Sequence, residues 1–117
     1  MRRGERGAVT AEIALGLPLL VSMTIGSVWL VAVGAAQVRA VDAARETARA
    51  VARGDEVGAA VEVGERIAPA SARVRVEQGD GQVRVVVSAG VPPPAGLFAG
   101  LGRAPVRAEA VAVLEEP

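Results

Sequence analysis

The sequence predicts an α+β fold: a long N-terminal transmembrane helix continuing into an amphipathic helix, a short second helix, then a small antiparallel sheet of about three strands. Three observations predict it. No residue from Ile13 to Ala36 is charged. From Gln37 to Arg53 apolar residues recur at three- and four-residue spacing, the period of a helix face. Beyond Pro69 the period falls to two, and the alternation is interrupted by Asp80-Gly81, a favoured hairpin turn.

The elements follow in order. Residues 1–7 are a short polar head with Arg2, Arg3, Glu5 and Arg6. Residues 8–36 form the membrane segment, with Glu12 as its single charge. The uncharged stretch from Ile13 would be ~36 Å long as a helix, enough to cross a ~30 Å hydrocarbon core. A cleaved secretory signal is the competing reading, because the head is basic and Gly34-Ala35-Ala36 is small. The apolar run is longer than the ~7–15 residues such a signal uses, and a carboxylate stands at its start. Pro18 falls in the first turns of the span, where its missing N–H costs little and a slight kink is expected. Gly16, Gly26 and Gly34 lack the four-residue spacing of a helix-dimer motif.

Residues 37–54 continue the helix past the membrane. Val41, Ala44, Ala48 and Val51 share a face, and charged residues occupy the rest. Asp42–Arg45 and Glu46–Arg49 are expected i,i+3 ion pairs, each contributing a few tenths of a kcal/mol. Gly54 is placed to end the helix in the left-handed conformation.

Residues 55–117 form a small α+β domain. Asp55 is expected to cap a second helix, Glu56 to Ala68, which Pro69 stops. Gly58 and Gly64 weaken that helix by ~1 kcal/mol each against Ala. Setting Asp80-Gly81 at the hairpin turn puts Val76 opposite Val85, Val74 opposite Val87, and Glu77 opposite Arg84 on the other face. Pro92-Pro93-Pro94 is a stiff connector. Leu97, Phe98 and Leu101 then either cover the sheet or offer a contact surface to a partner or to lipid headgroups. Val106 to Leu114 is the third strand. A domain this small with almost no aromatics has a thin core and often relies on partners.

Composition narrows function. The 13 cations balance 13 acids, which gives no excess charge for nucleic acid. Cys, His, Lys and Tyr are absent, which removes thiolate and imidazole metal ligands and most nucleophile–base pairs. Neither an enzyme, nor a cofactor or metal site, nor a small-molecule substrate is expected. Abundant Ala, Val, Gly and Arg without Lys suggests a high-GC bacterial source. Counting basic residues on both flanks does not choose the membrane orientation. A carboxylate in apolar sequence costs ~2.5–3.5 kcal/mol at the bilayer midplane and usually marks function. The residues alone leave open whether Glu12 does so or snorkels at the interface.

The stretch from Arg6 to Leu20 carries the functional signal. Gly7 follows the basic head, Glu12 stands fifth beyond it, and Ala14-Leu15-Gly16-Leu17-Pro18-Leu19-Leu20 continues the apolar run. This resembles the signal of type IV pilins and pseudopilins, which are cut after the Gly. The fuller pattern, with Ala43-Ala44-Arg45-Glu46-Thr47-Ala48-Arg49 beyond the span, resembles the TadE-like minor pilins of tight-adherence (Tad, Flp-type) systems from Arg6 to about Arg53. Many members carry aromatics in and after the span, whereas Trp29 and Phe98 are the only two here. The resemblance implies that residues 1–7 are a prepilin-like leader cut between Gly7 and Ala8 by a prepilin peptidase. It implies that Glu12 meets the N-terminal amine of a neighbouring subunit. It also implies other pilins and the assembly platform as partners. The head would lie in the cytoplasm, with the C-terminal domain outside the inner membrane. Gly4 is the other glycine in the head, but cleavage there would leave Glu12 eighth. An unprocessed, single-pass membrane-anchored adaptor or extracytoplasmic binding module is the alternative.

Overall fold

The computed structural model describes residues 3–96 and 99–115. Its first helix, α1, runs without interruption over Arg3–Ala52. The membrane and amphipathic segments are therefore one rod, as the uncharged run leading directly into helix-spaced apolar residues predicted. The molecule is correspondingly elongated, 85 × 19 × 19 Å.

Helix α1 ends where expected. Gly54 has φ +99°, its N–H reaches the Val51 carbonyl at 3.1 Å, and the Asp55 N–H reaches the Ala50 carbonyl at 3.0 Å. These two bonds are the Schellman pattern, which satisfies carbonyls the helix leaves orphaned. They commit Asp55 to closing α1, and its side chain pairs with Arg53 at 3.0 Å. The cap of the second helix, α2 (Val57–Ile67), consequently falls one residue later than expected. Glu56 is extended, and its carboxylate accepts from the Gly58 and Ala59 N–H groups, each at 3.2 Å. Ala68 is extended and ends α2, because a residue before proline is driven out of the helical region.

The sheet comprises β1 (Arg73–Gly79), β2 (Gln82–Val91) and β3 (Ala104–Val113), antiparallel with β2 central. The hairpin has the predicted register: Val74 faces Val87, Val76 faces Val85 and Glu77 faces Arg84. Asp80 and Gly81 both have positive φ, 52° and 74°, as a type I′ turn requires. The charges do not pair across that rung, however. Arg84 turns to Glu109 of β3 at 3.2 Å, and Glu77 lies 3.7 Å from Arg75 on its own strand. The central strand gives Arg84 a choice of two neighbours, which reading the hairpin alone did not consider. Strand β3 starts two residues earlier than expected, because Ala104 and Pro105 pair with Val91 and Gly90.

One sheet face carries Val83, Val85 and Val87, all fully buried, with Val106 and Ala108. It packs on α1, whose buried face includes Ala40, Ala43, Ala44, Thr47, Ala48 and Val51. That face is wider than the predicted stripe because α1 supports the sheet and α2 together. Alanine lets three elements approach one helix closely, and the same small side chains make the core thin. The exposed i,i+3 pairs expected along α1 do not form: no ion pair joins Asp42 to Arg45 or Glu46 to Arg49 among the described residues. A contact contributing only a few tenths of a kcal/mol does not hold two long, solvated side chains in one place.

Candidate membrane and assembly surface

The C-terminal domain docks along α1 from Trp29 to Ala52. At one end the Trp29 indole N–H donates to the Val91 carbonyl at 3.1 Å. Midway, the Gln37 amide donates to the Arg107 carbonyl at 3.0 Å. At the other end the Glu115 N–H donates to the Ala52 carbonyl at 2.9 Å. The helix between the outer two ties is ~34 Å long. The ten residues of β2 span ~33 Å. Strand and helix match in length, so the domain uses α1 fully as far down as Trp29.

Below Trp29 α1 projects alone. Leu15 is 78% exposed, and Ile13, Leu17, Leu19, Leu20, Val21, Met23 and Val28 are exposed as well. A Cβ placed on Gly16 or Gly26 would meet nothing within 4 Å. An apolar helix bare on all sides has no stable place in water, and its length and composition fit a membrane crossing. Three of its hydroxyls are satisfied internally: those of Thr10, Thr24 and Ser27 donate to the Arg6, Leu20 and Met23 carbonyls at 2.9, 2.9 and 2.8 Å. This back-bonding lets hydroxyls sit in hydrocarbon without an orphaned donor. The helix continues through Pro18, where the missing N–H leaves the Ala14 carbonyl without its usual partner.

The predicted site residues all lie on this bare segment. Gly7, Ala8 and Glu12 are helical and exposed, and none is brought near another element. Ala8 and Glu12 are one turn apart on one face of α1, whereas Gly7 lies off that face. Gly4 and Gly7 make the first turns cheap to unwind, by ~1 kcal/mol each relative to Ala. Glu12 is the sole charge between Arg6 and Arg39. No group of three or more His, Cys, Asp or Glu side chains able to hold a metal occurs among the described residues.

A glycine-preceded apolar rod bearing one early carboxylate thus runs unbroken into a domain-supporting amphipathic face. Residues 7–49 match the TadE-like protein family. The TadE-like segment thus takes in the bare span, Trp29 and most of the helix face that carries the domain. Helix α2 and the sheet lie beyond it. No curated protein and no solved structure matches the chain.

Two contacts between the TadE-like segment and the rest of the chain were not anticipated. Trp29 is the protein's single tryptophan, and its place late in the apolar run was the available signal for a tether. The other is Thr47 against Gly64: a Cβ on Gly64 would collide with the Thr47 hydroxyl. Gly64, read as a weakness in α2, is what lets α2 approach α1. Leu97 and Phe98 lie outside the described residues, and Leu101 is 69% exposed.

Proposed function

We propose that the chain is a structural component of a Tad-type type IV pilus, a minor pilin or pseudopilin that is membrane-anchored and processed by a prepilin peptidase. The observation that supports this most is the TadE-like match over residues 7–49, which begins at the proposed cleavage site. The bare apolar helix agrees with it, since such a helix can be held by lipid before assembly and by other pilin helices afterwards. In this reading the polar head faces the cytoplasm and the C-terminal domain lies outside the inner membrane. The role is structural, not enzymatic.

Cleavage between Gly7 and Ala8 frees an α-amino group with an ordinary pKa of ~7.7–8.0, mostly cationic near neutrality. Glu12 becomes the fifth residue, at the end of the new first turn, where a carboxylate favours the helix dipole. As two subunits leave lipid together, the Glu12 carboxylate of one meets the amine of the next. Burying either charge alone costs several kcal/mol, and pairing offsets much of that, so the pair sets the axial register of neighbouring helices.

Mass spectrometry of the protein from its native membrane tests the reading. The expected mature chain begins at Ala8. Gly7→Leu puts bulk at the scissile bond and should leave an inserted, full-length, inactive precursor. Glu12→Ala should be inserted and cleaved but fail to assemble with its pilin partners. An intact Met1–Gly7 head on mature protein in piliated cells would overturn the proposal in favour of an unprocessed membrane-anchored adaptor.

A further inference from the structure

We infer that the C-terminal domain rests directly on the phospholipid surface, with Trp29 at the hydrocarbon boundary and the Leu101 end of the domain against the headgroups. The inference depends on α1 spanning a membrane and adds where the span stops. Hydropathy alone extends the apolar run to Ala36. From Trp29 onward, however, one side of α1 already faces protein: the Trp29 indole meets Val91, Ala36 is buried, and Ala32 lines a cleft of about 330 Å³ with Pro69 and Pro92. Lipid therefore cannot surround the helix above Trp29. The 21 residues from Ala8 to Val28 make ~31 Å of helix, the thickness of a hydrocarbon core, without help from residues 30–36.

The side chains at this level suit an interface. Tryptophan prefers the headgroup boundary, where its ring is apolar and its N–H needs a partner; here the partner is the Val91 carbonyl. Val91 pairs with Ala104 at the end of the sheet beside Trp29, and Leu101, in the loop between them and three residues before Ala104, is exposed at that end. Arg103 closes this loop by donating to the Gly90 carbonyl at 3.3 Å. Arg39, on the rim of the cleft, is the first charge after Glu12. Helix side chains tilt toward the N-terminus, which aims its guanidinium down toward phosphate. Leu30 and Val31, 73% and 72% exposed on α1, fall within the headgroup layer. The occupant of this end of the domain is thus a phospholipid surface, continuous with the membrane that holds the span.

The natural absence of cysteine makes the test direct. Full-length Leu19→Cys, Gln82→Cys and Leu101→Cys proteins are labelled with an environment-sensitive fluorophore and placed singly in nanodiscs. Quenching is read with lipids spin-labelled at the headgroup or deep in the acyl chain. The label at position 19 should lose fluorescence to the deep quencher, and that at position 101 to the headgroup quencher. The label at position 82, at the far end of β2, should lose none. Unlabelled protein should show Trp29 quenched more by bromine near the headgroup than by bromine at the chain ends. If position 101 behaves like position 82 while position 19 is quenched from within the bilayer, the domain stands off the membrane and the inference is wrong, although the span survives. If position 19 also escapes quenching, the span itself fails. A label at position 101 that escapes the headgroup quencher, and whose emission changes only when other pilin subunits are added, would assign this end to a protein partner, which also overturns the inference.

Discussion

Replacing Gly64 with alanine should destabilise the domain, although alanine is the better helix former. On propensity alone the change favours α2 by ~1 kcal/mol. The new methyl, however, would collide with the Thr47 hydroxyl and lie 3.5 Å from the Thr47 Cβ and 3.7 Å from the Ala43 carbonyl oxygen. Thr47 is fully buried, and a β-branched residue in a helix has few alternative rotamers. Overpacking of this kind costs ~1–3 kcal/mol, so Gly64→Ala should lose about 1 kcal/mol net. Thr47→Ala behaves differently. Its hydroxyl has no hydrogen-bond partner among the described residues, and leaving a buried donor unpaired costs ~1–3 kcal/mol. Removing it offsets the loss of the methyl, so that variant should be close to neutral. In the double variant the added methyl takes the vacated space and the propensity gain returns. The two substitutions should therefore couple favourably by about 1–2 kcal/mol, within the range for residues in contact. Full-length protein in detergent micelles, unfolded in urea and followed by the fluorescence of Trp29, provides the cycle. Additivity within ~0.5 kcal/mol would mean that α2 does not meet α1 at this point.

Other outcomes follow from the same packing. Arg84→Glu should cost under ~1 kcal/mol, because its partner Glu109 lies on the exposed sheet face and such pairs are weak. Val85→Asp should be far worse, since it buries an unpaired charge in the fully buried centre of the sheet; equal losses in thermal melts of the two would mean the sheet faces are misassigned. Glu56→Ala removes the acceptor for the Gly58 and Ala59 N–H groups and should cost ~1 kcal/mol, whereas Asp55→Ala should cost less. Reversing that order in urea melts would restore Asp55 as the cap.

The sequence by itself determined whatever depends on local period and backbone conformation. The uncharged run, the amphipathic continuation, the glycine after α1 and the Asp80-Gly81 hairpin register were all legible, because each is set by residues a few positions apart. The TadE-like pattern was legible for the same reason, as it lies within one helix. Tertiary structure decided what depends on neighbours distant in sequence. Arg84 pairs with Glu109 rather than with the residue across its own hairpin, because β3 brings a second acid to its other side. Gly64 is a contact rather than a defect, because α2 folds back on Thr47. Asp55 is the exception, a contest between local signals: the turn that ends α1 holds its N–H on Ala50 and its carboxylate on Arg53, and the cap of α2 passes to Glu56. Trp29 marks where the domain begins to cover α1, a boundary that hydropathy cannot register, since an alanine-lined protein face and a lipid tail are equally apolar.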